Sequence, residues 1–358
     1  MARVAISETE MLRREGFNAS IASIVRSRDE WPLFEERGIK PLYFFGDEIF
    51  GRIFHGILPF QRMNLLDRYR YLILHNLPSA IIIRRHKALT RSIKILYLHD
   101  PHSYSLTGSI LGYILSSNKA LMMRAEKDIL KRIDMVLVNS ISSLNKLKQI
   151  HCRGILSKVR VLYPTVNVPL DRREIRTERE GYIIILGRID HEAFINLAKI
   201  ARLVKWKIVI AGYGNKMNPN FRRILELYRD LIKRGREVRV VLSPSDREVT
   251  NLLKNANLFV YPGHENFNMS AMESMSVGTP VLVADTSGVC ELMPFDLRES
   301  LCLPKHSTSM WVERINEIMR GDPLSLGMKC WEVTRRYNLS SHMNEMLSII
   351  NRLGDRHA

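Results

Sequence analysis

Long apolar runs are missing from this chain. Nowhere in its 358 residues do about 18 apolar residues follow one another without interruption. The amino-terminal MARVAISETEMLRREGF meets charged side chains before any apolar stretch of signal-peptide length. These absences predict a cytoplasmic protein that does not span a membrane. Cysteine is scarce as well. Cys152, Cys290, Cys302 and Cys330 are scattered, with no CxxC and no Cys/His cluster at metal-ligand spacing, which argues against a zinc site and against a disulfide framework. No GxGxxG follows the first strand-like segment, against a nicotinamide-dependent oxidoreductase, and no Asp-x-Asp is present to hold a diphosphate-bound cation. Acid is in deficit: 37 Asp+Glu against 54 Lys+Arg leave a net charge of +17, which suits phosphates, anionic lipid headgroups or nucleic acid as partners without choosing among them. Nucleic acid is the poorest fit, since no RNA- or DNA-binding motif appears and the aromatic residues are not interleaved with the basic runs.

What the chain does hold is enough material for roughly two domains. Hydrophobic residues make up 46% and charged residues 25%, a composition that folds throughout. Short runs rich in β-branched residues alternate with longer segments of helical spacing. The strand candidates are 3–7, 41–45, 71–74, 93–98, 135–138 and 159–163, then 182–186, 207–211, 238–242, 258–261, 280–284 and 301–303. Nearly continuous apolar strands between helices imply parallel sheets covered on both faces, so two such series predict two doubly wound α/β domains. The segment 79–90 is assigned to a helix because it lies between two better strand candidates. Ser245-Asp-Arg-Glu248 has the capping-box pattern, and 337–353 has helical spacing.

The hinge is placed at 164–180, where a Pro-containing stretch passes into the charged DRREIRTERE. Charge is uneven across it: residues 1–170 carry +12 and residues 171–358 carry +5. Within the basic half, 54–72 and 121–133 mix apolar residues with arginine and lysine. They suit either a surface resting on anionic lipid or a solvated helix face over ordinary core.

The segment 258–292, LFVYPGHENFNMSAMESMSVGTPVLVADTSGVCEL, carries most of the chemistry. It reads as strand, loop, helix, Gly-Thr-Pro turn, strand and a second glycine-containing loop. Asn266 and Asn268 bracket Phe267, and asparagine is the non-glycine residue that best tolerates left-handed backbone. A tight turn there would offer the backbone N–H groups of Asn268, Met269 and Ser270 at a helix N-terminus, where the helix dipole favours a phosphate. Glu265 precedes that helix and Glu273 falls within it, a spacing that suits a nucleotide-sugar. Each acid has a plainer reading. Ser270-Ala-Met-Glu273 fits a capping box that would occupy Glu273, and Glu265 fits a solvated loop acid. Their joint placement favours a site.

This segment resembles the signature region of the retaining glycosyltransferases of family 4, which have the GT-B fold. The likeness is carried by Glu265-Asn-Phe-Asn-Met-Ser-Ala-Met-Glu273, by Gly278-Thr-Pro-Val281 and by Gly288-Val-Cys-Glu291. Ile185-Leu-Gly-Arg188, Ala211-Gly-Tyr-Gly214, Asn257-Leu-Phe-Val-Tyr-Pro262 and Leu98-His99-Asp100 also fit. The resemblance implies two Rossmann-like domains facing a central cleft: 1–168 on the acceptor side and 169–335 for the nucleotide-sugar, with 336–358 as a helix crossing back to the first. It implies a hexosyltransferase that moves a sugar to an acceptor hydroxyl with retention. Glu265 would meet the transferred sugar, Arg188 would grip the diphosphate, and His99 would face them from the first domain. Gly187, Gly212, Gly214, Lys216, Asn268, Met269 and Ser270 would line the donor, and Glu273 would bond the ribose.

Three departures from the family pattern stand out. The lysine usual about six residues after the arginine is absent, leaving the diphosphate to Arg188, helix dipoles and Lys216. Asparagines replace the glycines that flank the loop phenylalanine. The Gly-Gly turn common after the first strand is absent from Ile6-Ser-Glu-Thr-Glu10. No cofactor or metal is implied, the nucleotide-sugar being a co-substrate. The basic first domain suits a lipid-linked acceptor at the inner face of the cell membrane, with a glycan or small molecule as the other choice. A catalytically silent relative and a basic nucleic-acid-binding protein are the alternatives.

Overall fold

The structure, a computed structural model, describes residues 2–25, 41–45, 66, 68–76, 80, 92–99, 127–150, 153–166, 172, 175–214 and 218–356. Two units result, one of Met1–Pro164 together with Ser340–Ala358 and the other of Thr165–Leu339.

The first unit opens with helix α1, Ala2–Arg14, where the sequence suggested a strand over 3–7. Its buried positions Val4, Ile6, Glu8, Thr9 and Leu12 explain the difference. Val4 and Ile6 alternate as a strand would, while Glu8, Thr9 and Leu12 restore helical spacing only further on. Strands β1 (Ala22–Val25) and β2 (Leu42–Phe45) pair in parallel. Strands β3 (Tyr71–His75), β4 (Ile93–Leu98), β5 (Met135–Val138) and β6 (Val159–Val161) form a parallel sheet in that order. Every residue of β4 is buried, as a central parallel strand covered on both faces requires. Helix α2, Ile141–Ile150, follows β5, with the Ser143 N–H bonded to Ser140 Oγ at 2.9 Å. The C-terminal helix Leu339–Arg356 buries Met343, Met346, Ile349, Ile350 and Leu353, a stripe at three- and four-residue steps. Of the basic segments, only 66 and 68–72 of the first and 127–133 of the second lie within the described residues, as does only Ala80 of the segment 79–90.

The second unit is built on a six-stranded parallel sheet: β7 (Tyr182–Arg188), β8 (Lys207–Tyr213), β9 (Val238–Leu242), β10 (Leu258–Tyr261), β11 (Val281–Ala284) and β12 (Cys302–Leu303). Their order across the sheet is β12-β11-β10-β7-β8-β9. The chain thus winds outward from β7 in one direction, returns, and winds outward from β10 in the other. Connecting helices are α3 (Glu192–Ala201), α4 (Pro219–Lys233), α5 (Asp246–Asn255) and α6 (Met269–Ser276), with α7 (Thr308–Arg320) and α8 (Pro323–Arg336) after the sheet. The capping box at Ser245 forms, with the Ser245 side chain and the Glu248 carboxylate each accepting the other's backbone N–H.

Two findings change the expectations for this unit. Cys290 and Cys302 are joined by a disulfide. They are 12 apart in sequence, but the β11–β12 pairing sets Cys302 opposite Val283, beside the loop that carries Cys290. The charged approach to β7 is not simply a linker either. Arg179 donates to the Gly278 carbonyl at 2.7 Å, to the Ala256 carbonyl at 2.5 Å and to Thr279 Oγ1, and so staples the entry of β7 to the Gly-Thr-Pro turn.

Candidate functional site

In an open parallel sheet the crevice for a ligand lies beyond the carboxyl ends of the strands, where the strand order reverses. Here that point is between β7 and β10. At the end of β7 stand Gly187 and Arg188, in register with Gly212 and Tyr213 of β8. Gly212 has no room for a side chain: its φ is +152°, and a Cβ would lie 1.9 Å from the Gly187 carbonyl oxygen. Gly214 packs against the Phe221 ring, so the backbone turns closely over α4. Arg188 is largely exposed, at 64% of its side chain, and its Nε lies 3.2 Å from Asp190 Oδ1. Asp190 Oδ2 in turn accepts from Asn218 Nδ2 at 2.8 Å. The guanidinium is therefore tethered on one edge. Lys216 lies outside the described residues.

Beyond β10 the chain turns through Gly263, His264 and Glu265. Phe267, 2% exposed, plugs the turn into the core. Asn268 then adopts φ 75°, ψ 74°, the left-handed backbone that an asparagine supports, and caps α6 by accepting the Ala271 N–H on Oδ1 at 3.0 Å. The helix begins at Met269, so Ser270 lies inside it and is not the cap of a box with Glu273. With Ala271 and Met272 bonded back to Asn268, Met269 and Ser270 are the first-turn residues with no intrahelical acceptor for their N–H groups. Asn268 Nδ2 is buried without a hydrogen-bond partner, one more donor at the same helix end. Glu265, Met269, Ser270 and Glu273 are all half-buried.

The second glycine loop holds this turn from behind. The Gly288 N–H donates to the Glu265 carbonyl at 3.3 Å and the Val289 N–H to the Phe267 carbonyl at 2.8 Å. On the other side, the Glu192 carboxylate accepts the backbone N–H of His264 and pairs with Lys305 Nζ at 2.7 Å. The Lys305 bond lowers the Glu192 carboxyl.

Two neighbours of Glu265 were not legible as site residues. The Tyr261 hydroxyl donates to Glu265 Oε1 at 2.7 Å and lies 3.1 Å from Nδ1 of His191, the cap of α3. Burial raises the Tyr261 phenol, and the charge and hydrogen bond of Glu265 add to it, so the hydroxyl keeps its proton. The positive charge of Arg188 acts on the same phenol in the opposite sense. The strand-end position of Tyr261, four residues before Glu265, was the available signal.

His99 belongs to the first unit, at the carboxyl end of β4. Its backbone is pinned on both sides, the N–H donating to Asn76 Oδ1 at 2.7 Å and the carbonyl accepting from Asn139 Nδ2 at 2.8 Å. Burial pushes the imidazole well below its usual range, so it is neutral at physiological pH. Among the described residues, no helix is long and apolar enough to cross a membrane.

Residues 169–329 match the sequence model of the family described as Glycosyl transferases group 1. The chain is 25% identical over 248 residues to the D-inositol 3-phosphate glycosyltransferase of Mycobacteroides abscessus, covering 65% of this chain and 55% of that protein. It is 26% identical over 230 residues to the protein of the same description from Mycobacterium leprae, covering 59% and 51%. The chain therefore spans about half the length of the curated relatives it matches. Among solved structures, HepE of Anabaena in complex with UDP and glucose aligns with a TM-score of 0.74 and 14% identity, over 98% of this chain and 95% of that one. Sucrose-phosphate synthase of Thermosynechococcus elongatus aligns with a TM-score of 0.64 and 19% identity, over 80% and 74%. These likenesses establish the fold, GT-B with parallel Rossmann-like sheets.

Proposed function

We propose that the chain is a glycosyltransferase that moves a hexose from a nucleoside-diphosphate sugar to an acceptor hydroxyl with retention at the anomeric carbon. One observation carries the reading: the strand order reverses between β7 and β10, and at that point stand Arg188, the Glu265 turn and the N-terminus of α6. A planar guanidinium and a fan of N–H donors suit a diphosphate, and a carboxylate beside them suits a sugar that becomes positively charged.

In the reaction, the bond between the anomeric carbon and the diphosphate oxygen breaks while the acceptor oxygen bonds to the same face of the sugar. The acceptor proton passes to the departing phosphate. Arg188 and the N–H groups of Met269 and Ser270 stabilise the charge that develops on the diphosphate. Glu265, oriented by Tyr261, offers negative charge to the oxocarbenium-like ring. Glu273 takes the ribose hydroxyls. Cationic neutralisation falls to Arg188, Lys216 and the helix end, so the reading needs no metal.

UDP-glucose heads the donor candidates because HepE of Anabaena was solved with UDP and glucose. The excess of positive charge in residues 1–170 supports an anionic, lipid-linked acceptor at the cytoplasmic membrane surface. The competing reading is a silent relative. The family lysine would fall at Phe194, which is fully buried in α3, so that cation has no counterpart there.

A screen of nucleotide-sugars read as free-sugar release tests the reading without knowledge of the acceptor. Release from one donor, lost in Glu265→Gln and in Arg188→Ala, is the expected result. Release from none, with no transfer to lipid or glycan extracts, overturns it in favour of the silent relative.

A further inference from the structure

At the amino ends of β5 and β6, where Met135 opens one strand and Lys158 leads into the other, the first unit holds a cavity of about 220 Å³. Ile349, Arg352 and Leu353 of the C-terminal helix line it too. Strands β4, β5 and β6 run parallel, so their amino ends share one edge of the sheet, opposite the edge where His99 follows β4. The proposed reaction makes no use of this cavity. Its lining combines apolar surface from Met135, Ile349 and Leu353 with the cations Lys158, Arg160 and Arg352.

Among the described residues, none of these three cations pairs with a carboxylate. Lys158 Nζ donates to the carbonyls of Ile133 at 2.9 Å and Lys131 at 3.5 Å. Arg160 Nη1 donates to the carbonyls of Val159 at 2.8 Å and Ser157 at 3.4 Å, and Arg352 Nε to the Ser348 carbonyl at 3.1 Å. Carbonyls accept a proton but do not offset a charge. Each guanidinium carries five N–H groups, so Nε and Nη2 of Arg160 and both terminal nitrogens of Arg352 still have donors to give. Asp134 also lines the cavity, but its charge is answered elsewhere: Oδ2 accepts the Lys94 backbone N–H at 2.7 Å and lies 3.5 Å from Lys94 Nζ. Positive charge is therefore in excess.

A concave site of that sign draws an anion, and planar guanidinium groups match phosphoryl oxygens. The volume falls below the roughly 300–1,000 Å³ of pockets for drug-sized ligands, which suits one phosphoryl group on a short carbon stem better than a nucleotide. The apolar side chains ask for the stem, since an inorganic ion would leave them uncovered. We infer that the cavity binds the phosphoryl group of a small organic phosphate, with Arg160 and Arg352 holding the oxygens, Lys158 adding charge, and Met135, Ile349 and Leu353 covering the stem. Such a group arrives either on a free phosphomonoester or as the headgroup of an anionic lipid. The inference stands apart from the proposed function, whose donor crevice belongs to the second unit.

Calorimetric titration of the full chain with butyl phosphate, and flotation with vesicles of phosphatidylcholine alone or mixed with phosphatidic acid, test it. Butyl phosphate should bind saturably, about fourfold or more tighter than inorganic phosphate because the stem is buried. Arg160→Ala and Arg352→Ala should each weaken it about tenfold, and the double variant more. Both arginines are exposed, so the fold should survive their loss, with urea midpoints as the check. Arg202→Ala/Arg229→Ala removes the same charge from exposed positions of the second unit and should change nothing. Retention on vesicles with phosphatidic acid, absent with phosphatidylcholine alone, lost in the cavity double variant and kept in the control, identifies a lipid headgroup. Butyl phosphate binding without retention identifies a free phosphomonoester. A native chain that binds neither overturns the inference. So does binding that the cavity double variant leaves unaltered, an equal loss in the control, or inorganic phosphate bound as tightly as butyl phosphate.

Discussion

Tyr261→Phe removes one hydroxyl and little else. The ring is 2% exposed and lies parallel to Phe259 at 6.3 Å between centroids, and both contacts survive in phenylalanine. What goes is the 2.7 Å hydrogen bond to Glu265 Oε1, together with the 3.1 Å contact with His191 Nδ1. A bond to a charged group contributes about 1.5–3 kcal/mol, and the lower end applies here because water reaches the half-buried carboxylate and replaces part of what is lost. If Glu265 meets the sugar only as positive charge develops on it, that loss falls on the transition state: kcat drops about tenfold while the donor KM stays within about twofold. Initial rates of sugar release across donor concentrations separate the two constants, and urea unfolding shows whether the second unit keeps its stability. In a Glu265→Gln background the same substitution should cost almost nothing further, since the charged partner is gone. An unchanged kcat in Tyr261→Phe, or an equal loss in both backgrounds, refutes the orientation of Glu265 by Tyr261.

The remaining expectations follow from single contacts. Arg188→Ala should weaken binding of the donor by about tenfold or more in calorimetric titration, and Arg188→Lys should recover less than half of that free energy, because an ammonium lacks the planar fork. Reduction of Cys290–Cys302, or Cys290→Ser, should cost about 3 kcal/mol of stability in thermal unfolding, the entropy of a loop this short, and should loosen the turn whose carbonyls Gly288 and Val289 hold. Glu8 sets an acid limit on the first unit. Burial alone would raise its carboxyl, but the bond from His342, with His75 close by acting in the same sense, outweighs this and holds it at about 2 against an ordinary 4.5. A depressed carboxylate stabilises the fold above its unfolded value, so about 3 kcal/mol should be lost as pH falls from about 4.5 toward 2. The difference in urea midpoint between the native chain and Glu8→Gln, measured across that range, should shrink accordingly.

Strands 93–98, 135–138 and 258–261 coincide in sequence and structure because a parallel strand buried on both faces is a local pattern, a nearly continuous apolar run. The turn at Asn268 was legible for the same kind of reason, since left-handed backbone and capping are properties of the asparagine itself. What stayed hidden depends on partners far along the chain. Strand β7 extends through Gly187 and Arg188 because Gly212 lets the backbones run on together. Arg179 looks like one charge in a linker until the Gly278-Thr279 turn, about a hundred residues later, is folded against it. Glu8 is the extreme case. An acid in the middle of Ile6-Ser-Glu-Thr-Glu10 reads as a solvent-facing residue, and its partner His342 is 334 positions away. No local spacing records that pairing, yet it makes a carboxylate tolerable in the core. The residue least legible in the sequence is therefore the one whose charge depends most on the far end of the chain.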